Sequence, residues 1–192
     1  MLKKFALFAI LAISSLMSYA QETESNDKAS KFGFTAGYGE RHLDRTYLRT
    51  DYASQPGDQF YYYSGGGFFL GLTFDSRISE NFGISSELLV TRFSFNYNYI
   101  FNTLLKYELF DSRFHLMAGP EFNLDPKLRV GGDWGNRLGM GLTGGLEFDI
   151  TKRYSIYAKY SQELNNRYKG GIVEDDYEGN FNNFRLGIKF RF

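Results

Sequence analysis

Between Phe32 and Phe192, apolar and polar side chains alternate with a period of two in eight segments. Such alternation places the two sets on opposite faces of an extended strand. It is clearest at the end of the chain, where Phe184, Leu186, Ile188, Phe190 and Phe192 interleave with Asn183, Arg185, Gly187, Lys189 and Arg191. Phe32–Arg41 carries Phe32, Phe34, Ala36 and Tyr38 on one face, and Gly67–Asp75 carries Phe68, Leu70, Leu72 and Phe74. Phe82–Thr91 follows, then Tyr99–Glu108 with Tyr99, Phe101, Thr103, Leu105 and Tyr107 together. Arg113–Asn123 offers Phe114, Leu116, Ala118, Pro120 and Phe122, and Leu138–Ile150 runs from Leu138 through Met140, Leu142 and Leu146 to Ile150. Tyr154–Glu163 shows Tyr154, Ile156, Ala158 and Tyr160. No stretch after Phe32 has the 3.6 period of a helix.

The connections alternate in length. Short ones at 76–81, 110–112 and 151–153 separate longer ones at 41–66, 124–137 and 164–181, while 92–98 carries Phe93, Phe95 and Tyr97, which prolong its strands. Segments of about ten residues with this alternation match membrane-crossing strands, which need about 9–11 residues and have short turns on the periplasmic side.

Charge separates this architecture from a soluble sandwich. The apolar faces carry no Lys, Arg, Asp or Glu. The opposite faces carry Asp75, Glu87, Glu108, Glu121, Glu147 and Asp149 against Lys106, Arg113, Lys159, Arg185, Lys189 and Arg191. A Lys or Arg facing lipid at the bilayer midplane costs about 2–4 kcal/mol, so a lipid-facing exterior excludes such residues. The expected fold is an all-β, eight-stranded antiparallel up-and-down transmembrane β-barrel over 32–192, with short periplasmic turns and longer extracellular loops. Its interior is just wide enough for side chains to fill. Gly33, Gly37, Gly71, Gly83, Gly119, Gly139, Gly141, Gly145 and Gly187 fall on the inward face and make room for the long charged residues. The twelve charges are expected to pair into a structural lumen network, because an unpaired buried ion is costly. A lumen so filled is a plug.

The N-terminus changes the compartment. Lys3-Lys4, the apolar run Phe5 to Ile13 and the small residues of Ser18-Tyr19-Ala20 form a secretory signal over 1–20. Its apolar run is too short to span a bilayer as a helix. Residues 21–31 are polar without periodicity and are expected to form a flexible periplasmic tail. Loss of Lys3 and Lys4 with the signal turns 22 basic and 22 acidic residues into 20 and 22. That balance disfavours nucleic acid as a partner. The absence of cysteine excludes disulfides, thiolate chemistry and a lipoprotein anchor. An aromatic content of 19% fits interfacial girdles.

The closing strand resembles the C-terminal assembly signal of Gram-negative outer-membrane barrels, in Arg185, Gly187, Phe190 and Phe192. The whole 21–192 segment is similar to the OmpA/OmpX-like eight-stranded barrels. It more closely resembles the outer-membrane family that includes the PorT-type proteins of the Bacteroidetes. The residues carrying this are Tyr99 to Tyr107, His115 to Pro120, Leu138 to Phe148 and the final strand. The family often has proline where Asn102 or Thr103 stands, a departure here. The resemblance implies location in the cell outer membrane. The partners it implies are outer-membrane lipids and lipopolysaccharide, the barrel-assembly machinery during insertion and a larger outer-membrane complex. The PorT-type proteins are associated with protein secretion, and no active-site motif accompanies the resemblance.

Little in the chain suggests catalysis, a cofactor or a metal. A lipid A-modifying barrel enzyme would need His and Ser near the outer rim within about 2.6–3.2 Å of one another. His42 and Ser94 lie at that level, but the Asp75-Ser76 pair belongs to the opposite end. His115 is expected to face the lumen in a structural role. Glu174-Asp175-Asp176-Tyr177-Glu178 is an acidic run whose carboxylates suit divalent cations, but it lacks the spacing of a calcium loop and is expected to be a solvated, mobile loop with no metal site. Tyr61, Tyr62 and Tyr63, with Tyr47, Tyr52 and Phe60, make the first loop aromatic, which suits a candidate binding surface and equally suits strands that extend above the girdle. The expected function is that of a non-enzymatic barrel acting as a structural or surface-interaction protein. The alternative is an accessory subunit of a secretion or assembly complex, and a narrow channel or lipid enzyme ranks below both.

Overall fold

The computed structural model describes residues 30–47, 59–93, 96–110, 112–126, 137–170 and 177–192. The strands are β1 (Lys31–Tyr47), β2 (Gln59–Arg77), β3 (Phe82–Phe93), β4 (Asn96–Glu108), β5 (Phe114–Leu124), β6 (Leu138–Asp149), β7 (Tyr154–Glu163), β8 (Tyr168–Gly170) and β9 (Tyr177–Arg191). From β1 to β7 each strand pairs antiparallel with the next; β7 then pairs with β9, and β9 with β1, closing an eight-stranded barrel. The three-residue β8 adds to β9 beyond the end of β7.

Side-chain parity sorts the residues as the alternation requires. Leu70, Leu142 and Ile188 face outward and are 69%, 56% and 57% exposed, whereas Thr73, Glu87, Arg185 and Lys189 face inward and are buried. An apolar exterior this continuous is stable only against hydrocarbon. A closed barrel can cross hydrocarbon because its backbone polar groups pair from strand to strand with no open edge. Among the described residues no helix is long and apolar enough to cross a membrane.

The periplasmic end is marked by a ring of aromatic side chains. Phe32–Phe74, Phe82–Tyr107, Phe114–Phe148 and Tyr154–Phe190 are directly opposed cross-strand pairs. Their ring centroids are 5.0, 5.0, 4.7 and 5.0 Å apart. Each barrel strand supplies one ring, so the girdle is continuous. The turns beneath it reuse one device, in which a hydroxyl accepts from the N–H that opens the next strand. Ser79 Oγ accepts from Phe82 at 3.2 Å, Ser112 Oγ from Phe114 at 3.1 Å and Thr151 Oγ1 from Tyr154 at 3.1 Å. All three strands therefore restart on a girdle ring.

Several expected boundaries are corrected. Lys31, placed in the tail, opens β1. The loops at 41–66 and 164–181 are shorter than the pattern suggested, because β1, β2 and β9 run for 17, 19 and 15 residues. Crossing takes about 9–11 residues. The excess forms a raised sheet of β8, β9, β1 and β2 beyond the loop-side mouth. Above the bilayer both faces of a strand are wet, so the alternation that identifies the lower strands fades there. Residues 1–29, including the expected signal and most of the tail, lie outside the described residues.

Leu142→Arg, on the outward face of β6, is expected to lower the folding free energy in phosphatidylcholine vesicles by about 2–4 kcal/mol. Urea titration of the refolded barrel measures this, and an unchanged midpoint would mean that the position does not face hydrocarbon.

Candidate functional site

The lumen holds the chemistry of the molecule. Alternation aims Asp75 on β2, Glu87 on β3, Lys106 on β4, Glu147 and Asp149 on β6, Lys159 on β7, and Lys189 and Arg191 on β9 into its periplasmic half. Lys189 Nζ lies 3.3 Å from Asp75, 3.3 Å from Glu87 and 3.0 Å from Glu147. Arg191 places Nε 2.7 Å from Asp75 and Nη1 2.9 Å from Asp149, and Nη2 also pairs with Glu147. Lys106 Nζ is 2.6 Å from Glu147, and Lys159 Nζ is 2.5 Å from Glu87. Glu147, fully buried, therefore meets three cations. Higher up, Arg185 pairs with Glu121, which also accepts from Thr143 Oγ1 at 2.7 Å.

Two of the twelve expected network residues sit elsewhere. Arg113 precedes β5 and is exposed in the turn, where its Nη1 donates to the Ile150 carbonyl at 3.4 Å. Glu108 lies at the rim, 3.7 Å from the half-exposed Arg77. Parity does not hold across a turn, so Arg113 escapes the rule that aims the others inward. Below the network a vestibule of about 200 Å³ opens among Lys31, Asp75, Lys106, His115 and Arg191.

The middle of the lumen is apolar, which the sequence reading missed. Phe69, Leu89, Ile100, Leu104, Met117 and Tyr157 are buried there as one cluster. Phe69 and Tyr157 stack with centroids 6.4 Å apart, and Tyr157 Oη lies 2.7 Å from Thr35 Oγ1. The paired glycines Gly37 and Gly187 form the wall beneath these rings. A Cβ on Gly187 would fall 2.6 Å from the Tyr157 ring and 2.9 Å from Phe69. These two glycines thus make room for aromatic rings, not for the long charged side chains expected. Gly145 does accommodate Lys159, and Gly139 accommodates Glu163 and Arg167.

A second ionic tier closes the extracellular mouth. Arg41 Nη1 lies 3.2 Å from Asp125. Arg167 donates Nε and Nη2 to Glu163 at 2.8 and 2.6 Å, and Nη1 to the Arg137 carbonyl at 2.9 Å. The Phe181 ring centroid lies 3.6 Å from the Arg41 guanidinium carbon and 5.1 Å from that of Arg167. Arg41 and Glu163 share the inward parity of their own strands, a signal that could have found them. Asp125 and Arg167 lie outside the strands and carry no such signal.

The remaining candidates divide between the two ends. In the closing strand Arg185, Lys189 and Arg191 face inward, while Phe190 and Phe192 face outward. Phe192 packs edge-on against Phe34 and Phe190, each 5.3 Å away, and its N–H donates to the Phe32 carbonyl at 2.9 Å. His42 faces outward, 3.7 Å from Glu40, and His115 Nε2 lies 3.0 Å from Asp149 in the lumen. Among the described residues no serine hydroxyl is hydrogen-bonded to either ring. Ser94 lies outside the described residues, as do Glu174, Asp175 and Asp176. Tyr61, Tyr62 and Tyr63 belong to β2 and not to a loop, and their side chains are outside the description.

Glu147→Gln would leave Lys106, Lys189 and Arg191 without their shared carboxylate. Breaking a buried ionic cluster in this way is expected to cost about 3–5 kcal/mol. Glu108→Gln at the rim should cost less than about 1 kcal/mol. Urea titrations of the two variants in the same vesicles compare them directly.

No family model and no curated protein matches the chain. Among solved structures it is similar to Neisserial surface protein A, at 14% identity and TM-score 0.44 over 83% of this chain and 97% of that one. It is also similar to the outer membrane protein OprG of Pseudomonas aeruginosa, at 14% identity and TM-score 0.47 over 86% and 97%. The attachment invasion locus protein Ail of Yersinia pestis aligns at 13% identity and TM-score 0.45 over 85% and 99%. The features that place this chain are its own: an apolar exterior, an aromatic girdle, short turns at one end and a polar, filled interior. The molecule is an eight-stranded β-barrel of the outer membrane.

Proposed function

We propose that this is a non-enzymatic outer-membrane protein with a closed lumen, which works by surface interaction at its extracellular end. The observation that carries this reading is the raised sheet. Above Gly67, where pairing with β3 begins, residues Gln59–Gly66 of β2 pair only with β1 among the described residues. This open edge contains no charge and no proline, the features that usually blunt exposed edges. An extended segment of a partner protein can add to such an edge through main-chain hydrogen bonds. Ion pairs and the apolar cluster fill the lumen below, which supports a role on the surface over one in transport.

A closed lumen equally favours a second reading, in which the barrel is an accessory subunit of a secretion or assembly complex of the PorT-like kind. A subunit that conducts nothing contributes surface only.

In planar bilayers the purified barrel is expected to show no stepwise conductance, and a steady open channel would overturn the closed-lumen reading. Gentle-detergent purification from the native membrane, with mass spectrometry of what accompanies the protein, addresses the partner. The pairs Leu43–Tyr63 and Asp44–Tyr61 leave Tyr62 without a partner on β1, so Tyr62→Pro spares that ladder. The partner is expected to be lost from Tyr62→Pro while the barrel still folds. A large barrel retained in stoichiometric amount by Tyr62→Pro would favour the accessory reading.

A further inference from the structure

The outward wall of β3, β4 and β5 contains a polar interruption at the level of the hydrocarbon. On β4 and β5 the pairing runs from Tyr99–Leu124 to Asn102–Glu121 and resumes at Leu105–Ala118. The two missing pairs, Thr103–Pro120 and Leu104–Gly119, are those that require Pro120 to donate a hydrogen bond it does not have. Proline is confined in sheets to edges and bulges, and its place inside a closed barrel removes the Thr103 carbonyl's ladder donor. On the neighbouring pair of strands, Ser86 and Thr103 stand directly opposite each other, and both face outward. Their hydroxyl oxygens are 3.2 Å apart. Each lies four residues above a girdle ring, Phe82 and Tyr107, or about 10 Å at ~3.4 Å per residue and ~40° tilt. That is near the middle of an apolar band about 25 Å tall.

Two hydroxyls carry two protons, and the bond between them uses one. The other is left facing lipid, which has no acceptor at that depth. An identical pair on a second copy supplies one: brought together, four hydroxyls close a ring in which each donates once and accepts once. The patch is self-complementary, as a two-fold interface requires. Ala118 and Gly144, directly paired beside it on β5 and β6, keep the wall shallow enough for close approach.

We propose that two copies of this chain pair within the bilayer through the β3–β5 wall, with the Ser86 and Thr103 hydroxyls at the centre of the contact. The unpaired edge of β2 begins above Gly67, where β2 parts from β3, so it stands over this side of the barrel but outside the hydrocarbon, at a different depth from the Ser86 and Thr103 contact.

The natural chain has no cysteine, which makes cross-linking clean. Full-length Ala118→Cys would be expressed in its native outer membrane and treated with a short bis-maleimide. The expected result is a band of twice the protein's mass, at least tenfold stronger than from Ile188→Cys on the opposite wall. Adding Ser86→Ala with Thr103→Val should cut that band at least fivefold, while Ser86→Ala with Thr103→Ser should retain more of it. Heat-modifiable gel migration checks that each variant is folded. Three results would overturn the proposal: no doubled band from Ala118→Cys, a cross-link to a different protein, or a doubled band unaffected by removing both hydroxyls.

Discussion

Charges that lipid excludes from the outside of this barrel must be paired inside it. Eight strands enclose a space that side chains alone can fill, and within it each ion needs a counter-ion because water is largely excluded. The closing strand carries the heaviest part of that demand. Arg185, Lys189 and Arg191 reach across the lumen to acids on β2, β3, β5 and β6. Strand β9 is therefore held by ladders to β1 and β7 and, independently, by ionic contacts with strands it never pairs with. In the closed barrel the strand that completes the sheet is also the one whose cations neutralise the lumen acids.

The apolar cluster between the two ionic tiers completes the plug by different means. Phe69 and Tyr157 occupy the space released by Gly37 and Gly187, so the wall is thin where the interior is bulky. Arg41 and Arg167 then cap the upper end against Phe181. A lumen stacked in this order is the basis of the proposed role for the outside surfaces. Two of them depart from plain barrel geometry: the β2 edge above the membrane, which among the described residues pairs only with β1, and the interrupted wall within it. They lie at different depths, one above β3 outside the membrane and the other on β3 to β5 within it.

The girdle at the periplasmic end performs a separate task. Each hairpin contributes an opposed pair of rings at its base, and each turn restarts a strand on one of them. Vertical position in the bilayer is thus set by cross-strand aromatic pairs, while lateral closure is set by the lumen.

Period two with strict exclusion of charge from one face was enough to determine strand number, the inward and outward sets, and most of the charged lumen. Those features follow from local chain geometry and from the solvent on each side, both of which act residue by residue. The sequence could not show how far β1, β2 and β9 rise, because alternation carries no information where both faces are wet. Nor could it show that Asp125 and Arg167, outside the strands, turn into the mouth, or that Arg113 turns away. The apolar middle of the lumen was hidden for another reason. Phe69, Leu104 and Tyr157 break the polar pattern of their faces, and only the packing across the barrel, with Gly37 and Gly187 opposite the two rings, gives them a place. Which acid meets which cation is likewise a property of the closed barrel, since partners such as Lys189 and Asp75 are brought together by shear and curvature alone.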